Sequence, residues 1–343
     1  MNCVNFEIDS YLKRKNSWHC PSSVHINGSR SGTRVPPWRT KKLKVLGSGQ
    51  YRYERVERWP NVPKYFEMGQ PSDVAINSSG EIFVLARGNH PVTIWTPEGD
   101  FIGSWGDGMF SAIPHGIFIG KDDNVWIVDC GAHVAMEFSP HGQILRTLGN
   151  KNSPSPTCEG RLVHAQPFNL PTNLAIAPNG DIFVADGYGG HKVHRFNSKG
   201  ELLLSWGRQG RGPGQFELVH NVWIDSRDRV LICDDENDRV QLFNMEGKYL
   251  EEWELGNPSG IFIKDDIVYF AQLQPFEDKT NGRGSGSISL YDLDGKRLTS
   301  WDNTASDDKE TLIGPHDLCV AQNGDIYVCE VYGWRMSKFR KLN

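Results

Sequence analysis

Residues 171–186 read PTNLAIAPNGDIFVAD, and residues 315–330 read PHDLCVAQNGDIYVCE. Each stretch opens at a proline, runs through a short apolar segment, turns at Asn-Gly and returns through a second apolar segment. That is the pattern of a β-hairpin, because Asn-Gly supplies the positive φ angles a tight reversal needs. Working outward, the same grammar recurs as PSDVAINSSGEIFVLA from Pro71, PHGIFIGKDDNVWIVD from Pro114, VHNVWIDSRDRVLICD from Val219 and PSGIFIKDDIVYFAQ from Pro258. Most hairpins are followed by a second unit spaced as Phe196, Gly200, Trp206; Phe243, Gly247, Trp253; and Tyr291, Gly295, Trp301. Trp95, Gly99 and Trp105 fit the same frame, so each repeat holds four strands.

Six four-stranded repeats, starting about 40 to 57 residues apart, predict radial closure as a six-bladed β-propeller. An open sandwich would leave six near-equivalent hairpins unexplained. The segment Leu43 to Trp59 reads as an outer strand without a hairpin of its own, and it is expected to pair with Arg335 to Leu342 and close the ring. We place the propeller at 43–343, behind an irregular arm at 1–42. Through residue 44 nine Lys/Arg face only Glu7 and Asp9, which reads as a solvated basic extension.

Composition agrees with an all-β fold: 36 Gly, 19 Pro and 11 Trp in 343 residues suit strands joined by tight turns. A formal charge of -5 offers no global attraction for phosphates, so no nucleic-acid partner is expected. No apolar run approaches the roughly 20 residues of a membrane span, and no membrane partner is expected either. Seven cysteines without a CxxC pair fit a reducing compartment, and the expected location is cytoplasmic.

Comparison of equivalent positions is more informative. The second residue of the six hairpins is Ser72, His115, Thr172, His220, Ser259 and His316, so histidine stands in every other blade. The first strand of a blade lines the central channel, and alternate blades of six are related by a three-fold axis. Three imidazoles on one axis have the stoichiometry of a catalytic zinc site with an open fourth position; iron, cobalt and copper also accept imidazole. The competing reading is three channel histidines hydrogen-bonded to water. Residues after strand two return to the same mouth, and these are Arg87, Cys130, Gly187-Tyr188, Asp235 and Val331-Tyr332. Arg87 can cradle a carboxylate, and Tyr188 can act as a base beside a cation. Asp129, Asp186, Asp234 and Glu330 recur at one position and read as turn or inter-blade hydrogen-bonding groups.

The repeats resemble those of NHL-repeat propellers over about residues 60–343. The openings IPHGI, LVHNV and GPHDL more narrowly resemble the zinc-binding openings of the peptidyl-α-hydroxyglycine α-amidating lyases. That resemblance implies zinc on His115, His220 and His316, and a structural calcium on the carbonyls of Val74 and Ile117 with the Asp317 carboxylate. It also implies active-site roles for Arg87 and Tyr188. Two positions depart from it: Asp235 stands where the family has a second substrate-binding arginine, and Gly314 where it has methionine. The family's disulfides find no matching cysteine pairs. The expected activity is therefore a metal-dependent lyase cleaving a C–N or related bond of a small hydroxylated substrate, with Asp235 altering substrate charge at the mouth. A metal-dependent hydrolase of a lactone, ester or amide is the enzymatic alternative. A binding platform without catalysis is the third.

Overall fold

The computed structural model describes residues 44–155, 167–274, 286–301 and 312–343. The basic arm at 1–42 lies outside the described residues. The fold described below is that of the unit Val45–Asn343.

Six antiparallel sheets make up this unit. Their innermost strands are Gln70–Ile76, Pro114–Ile119, Leu174–Ile176, Val219–Ile224, Pro258–Lys264 and Pro315–Val320. Each packs on the innermost strand of the next blade, and Pro315–Val320 packs back on Gln70–Ile76, so the ring is closed. Apart from one short 3-10 turn at Asp235–Asn237, the regular structure of the described residues is all strand.

Closure is made by both ends of the chain. Tyr51–Val56 pairs antiparallel with Arg335–Lys341, with Arg55 opposite Phe339. The N-terminal segment differs from expectation in one respect: it is two strands, Leu46–Ser48 and Tyr51–Val56, which pair with each other and give the last sheet five strands. Gly49, at φ 58°, permits that reversal.

The Phe-Gly-Trp spacing has an inter-blade cause. Added side chains at Gly142, Gly247 and Gly295 would meet Trp105, Trp206 and Trp253 of the preceding blade at 2.8, 2.9 and 2.6 Å. Each of these three outermost-strand tryptophans thus caps the strand-three-to-four turn of its neighbour, which must be glycine. Leu148 does the same against Gly200. The alternating apolar residues of strands one to three fill the space between blades, where Ile82, Val84, Ile127, Val128, Val184, Val230, Ile232 and Ile326 are buried.

One irregularity is repeated around the channel. In five blades the pairing of strands one and two skips the second hairpin residue: registers break between Pro71 and Asp73, Pro114 and Gly116, Val219 and Asn221, Pro258 and Gly260, and Pro315 and Asp317. The skipped residues are Ser72, His115, His220, Ser259 and His316. A β-bulge re-aims the side chain of its extra residue. Here it lets two consecutive positions, the Ser/His one and the next, both contribute to the channel.

Candidate metal centre and channel floor

His115, His220 and His316 come together. Their ring centroids lie 4.7 to 4.8 Å apart, all three are buried, and their ligand atoms lie within 4.8 Å of one another. His115 Nδ1 is 2.9 Å from the Thr172 carbonyl oxygen, His220 Nδ1 is 2.7 Å from that of Ser259, and His316 Nδ1 is 2.6 Å from that of Ser72. A carbonyl only accepts, so each Nδ1 carries the proton and each Nε2 keeps its lone pair. This outer hydrogen bond is the arrangement that orients a metal-binding imidazole. The donor set therefore fits zinc: three neutral nitrogens, fixed in tautomer and direction before any ion arrives.

The intervening Ser/Thr positions complete a girdle that the sequence reading did not anticipate. Ser72, Thr172 and Ser259 donate their hydroxyls to the carbonyls of Pro114, Val219 and Pro315 in the following blade, at 3.2, 2.8 and 3.1 Å. Each blade is thus tied to the next by a side-chain donor at one position. Ser/Thr and His can both donate to a backbone oxygen at this position, and of the two only histidine carries a second nitrogen, Nε2, able to ligate a metal.

Tyr188 reaches this centre. Its hydroxyl is 3.1 Å from His115 Nε2, and its ring stands edge-on to His115 and His220. The turn that carries it is pinned by backbone bonds from Tyr188 N–H to Leu170 O and from Gly189 N–H to Asn169 O. Arg87 is buried at the end of its strand, where Nη1 donates to Gln70 Oε1 at 3.3 Å. Gln70 in turn donates to the Val331 carbonyl of the closing blade at 3.1 Å. Gln70 thus orients Arg87, a role not read from the sequence. Asp235 is buried in the 3-10 turn after strand two of blade four.

The recurrent acids act within blades, not between them. Asp129, Asp186, Asp234 and Glu330 accept the backbone N–H groups of Ser111, Asn169, Glu217 and Ile313. Those residues lie just before the Ser/His position of the same blade, so each acid clamps the entry to strand one. Asp186 also meets His194 Nε2 at 3.3 Å, and His194 Nδ1 meets Ser205 Oγ at 2.7 Å. This chain has the residue types of a hydrolase triad. It runs across strands two, three and four of one blade and ties them together, as Glu330–Ser337 and Asp234–Gln241 tie strands two and three elsewhere.

Beneath the histidines, the next strand-one position reads Asp73, Gly116, Asn173, Asn221, Gly260, Asp317. Asn173 Nδ2 donates to Asp73 and Asp317 at 3.1 and 3.0 Å, and Asn221 Nδ2 donates to Asp317 at 2.7 Å. The glycines make room: a Cβ at Gly116 would lie 2.5 Å from Asn173 Oδ1, and one at Gly260 would lie 2.6 Å from Asp317 Oδ1. Burial pushes the Asp73 carboxyl up to about 7. Burial, then the charge of Asp73, pushes Asp317 well above the usual carboxylate range. Among the described residues neither has a Lys, Arg or His ion-pair partner. Two buried carboxyls with no cation beside them, between the strands that carry Val74 and Ile117, suit a hard cation such as calcium in charge and donor type. A polar position between apolar ones in six aligned repeats was the signal for this layer.

Cys130, Cys233, Cys319 and Cys329 are buried. Burial raises the thiols of Cys233, Cys319 and Cys329, which keeps them protonated.

Comparison with known proteins agrees with this architecture. A family model described as a six-bladed β-propeller matches residues 170–338. Human NHL repeat-containing protein 3 is 30% identical over 237 residues, 65% of this chain and 64% of that protein. The chain is a six-bladed β-propeller with NHL-repeat relatives. Its resemblance to the amidating lyases also holds. Peptidyl-alpha-hydroxyglycine alpha-amidating lyase 1 of Drosophila melanogaster is 34% identical over 263 residues, 68% of this chain and 46% of the fly protein. A probable lyase of the same name from Caenorhabditis elegans is 29% identical over 309 residues, 80% of this chain and 84% of that one. The matched stretch thus spans less than two thirds of the human and fly proteins. Among solved structures, a gluconolactonase from Xanthomonas campestris superposes with a TM-score of 0.58 at 12% identity, covering 85% of this chain and 90% of that one. At that identity the likeness is one of fold.

Proposed function

We propose that this propeller is a metal-dependent lyase that cleaves the C–N bond of a small hydroxylated substrate such as an α-hydroxyglycine derivative. The observation that carries it is the trio His115, His220 and His316, each donating its Nδ1 proton to a carbonyl oxygen and keeping its Nε2 lone pair for the channel. Relatives that are named amidating lyases support the same class. These histidines would hold zinc, which supplies Lewis acidity and lowers the pKa of an oxygen bound to it. Tyr188, beside His115 Nε2, would accept the substrate hydroxyl proton as phenolate and return it to the departing amide nitrogen. The C–N bond breaks as the C–O bond becomes a carbonyl, giving an amide and glyoxylate with no net addition of water. Arg87, held by Gln70, would pair with the substrate carboxylate. Calcium at Asp317 and the carbonyls of Val74 and Ile117 would be structural, with Asp73 adding a second carboxylate.

Asp235 favours a modified substrate. A buried acid at the mouth disfavours a second carboxylate contact there and suits a substrate with a cationic or hydrogen-donating group. Hydrolysis of a lactone or ester from the same centre would be told apart by its product, an acid formed with water.

The test is elemental analysis of the purified protein and of His220→Ala, followed by an assay of glyoxylate release from benzoyl-α-hydroxyglycine. About one transition metal per chain, absent from the variant, with glyoxylate released only by the metal-bearing protein, is the expected result. A protein that neither holds nor takes up a transition metal would end the lyase reading and leave a binding platform.

A further inference from the structure

The mouth outside the histidines carries two charges in opposite blades. Strand two of each blade reaches a recurrent position, Ala86, Asp129, Asp186, Asp234, Gln272 and Glu330, and the residue after it stands one level beyond the hairpin opening. The pairing shows this level directly. Arg87 is opposite Gln70, the residue before Pro71. Asp235, Leu273 and Val331 donate their N–H groups to the carbonyls of Leu218, Asn257 and Gly314, the residues just before their own hairpins, at 3.0, 3.0 and 2.9 Å.

In blade order this level reads Arg87, Cys130, Gly187, Asp235, Leu273, Val331, and all six residues are buried. Cys130, Gly187, Leu273 and Val331 are neutral. The two charged residues have opposite sign and stand in blades one and four, which face each other across a ring of six. Between those blades lies the axis on which His115, His220 and His316 converge, with ring centroids 4.7 to 4.8 Å apart.

Both ends are held in place. Gln70 accepts from Arg87 and donates to the Val331 carbonyl, which fixes Arg87 to the closing blade. The Asp235 turn is held at both sides of the residue: its N–H donates to Leu218 O, and its carbonyl accepts from Asp238 N–H at 3.1 Å and from Asn257 Nδ2 at 3.4 Å. A ligand that brings a matching charge to each end is favoured over one that matches a single end, and a second carboxylate is repelled at Asp235. In an α-hydroxyglycine the carboxylate, the hydroxyl and the amide nitrogen share one carbon. With the carboxylate at Arg87 and the hydroxyl at the histidines, the acyl group is the part left to extend toward blade four.

We propose that this mouth selects a zwitterionic substrate, an α-hydroxyglycine whose N-acyl group carries a free ammonium, with its carboxylate at Arg87 and its ammonium at Asp235. The inference rests on the lyase reading above and names the substrate class for it. As the C–N bond breaks, the hydroxyl proton passes to the amide nitrogen and the C–O bond becomes a carbonyl. The products are an aminoacyl amide, which keeps the ammonium, and glyoxylate, which keeps the carboxylate. Cleavage thus divides the two charges, and each product retains one contact where the substrate had two.

The test measures glyoxylate release from glycyl-, β-alanyl- and 4-aminobutanoyl-α-hydroxyglycine, each against the propionyl, butanoyl or pentanoyl compound of equal length that lacks the amine. The best ammonium compound is expected to exceed its neutral partner about tenfold or more in kcat/KM. Asp235→Asn should bring that ratio near one. Calorimetric titration with the same acyl groups on glycine, which lacks the hydroxyl and cannot be cleaved, reads the charge preference without turnover. Ammonium-selective binding with no glyoxylate from any compound would end the lyase reading and keep the two-ended site. Equal binding and equal kcat/KM within every pair, or a preference that survives Asp235→Asn, would overturn the proposal. If Asp235→Asn fails to fold, Glu236→Gln in the same turn decides: the preference should survive there, and its loss would move the ammonium site to Glu236 and sink the assignment to Asp235.

Discussion

His316 Nδ1 lies 2.6 Å from the carbonyl oxygen of Ser72, 244 residues away along the chain. This bond crosses the seam where the last blade meets the first, so a proposed metal ligand is also a closing contact of the ring. The Ser72 backbone accepts from His316, while its side chain donates onward to Pro114 O. The two roles can be separated by mutation.

Ser72→Ala removes the hydroxyl, shared between Pro114 O and Leu85 O, and keeps the backbone acceptor of His316. It should lower unfolding stability by about 1 kcal/mol, the usual net worth of one hydrogen bond. His316→Ala removes the inward nitrogen as well. It should lose the transition metal, whereas Ser72→Ala should keep it; elemental analysis beside urea unfolding of both variants checks the pair.

Tyr188→Phe keeps the ring that stands against His115 and His220 and deletes the hydroxyl 3.1 Å from His115 Nε2. Glyoxylate release should fall by about 10²- to 10⁴-fold, the range for loss of a general base. Metal content and melting temperature should not change. A variant with full activity would move the base elsewhere.

Asp235→Arg should improve turnover of substrates with a free carboxylate and weaken binding of cationic ones. The substitution changes local charge by two units at a buried position of the mouth. Steady-state kinetics on a matched pair of anionic and cationic substrates measures the shift, and equal behaviour of both would remove Asp235 from substrate selection.

Gly247 has φ 74°, and a Cβ there would lie 2.9 Å from Trp206 of the preceding blade. Gly247→Ala should cost about 1 to 3 kcal/mol through strain and overpacking. The loss should be visible in urea unfolding. An alanine at Gly108, where no atom lies within 4 Å, should lack the packing part of that cost and retain the strain of its φ of 72°.

Asp73 carries a pH signature. Its carboxyl is pushed up to about 7 by burial, from 3.8. Between those values the unfolded chain has released a proton that the folded chain still holds, so stability should fall as pH rises from about 4 through 7, and Asp317, pushed up in the same buried pair, adds to the fall. Below about 4 both states are protonated and the group adds no slope. Unfolding of chelated protein across this range should show the decline, and Asp73→Asn should lessen it, leaving the part due to the burial of Asp317. Added calcium should flatten it too, by stabilising the ionised form.

The six hairpins, the four-strand repeat and the Ser/His alternation were legible in the chain because each is written within one blade. Strand periodicity, Asn-Gly turns and the Trp spacing are short-range chemistry, and repetition turned them into an architecture. Closure of the ring by Arg335–Lys341 was legible from the unpaired strand at the other end, though the extra strand at Leu46–Ser48 was not. What the tertiary structure alone decided lies between blades. The bulges that turn two successive positions into the channel depend on how strands one and two pair. The carbonyl that holds each imidazole belongs to the next blade. The floor joins Asn173 to Asp73 and Asp317 across 100 and 144 residues. A side chain's identity is local, but its partner across a closed ring is set by the radius at which six packed sheets meet. That radius comes from packing between the blades, and no single repeat contains it.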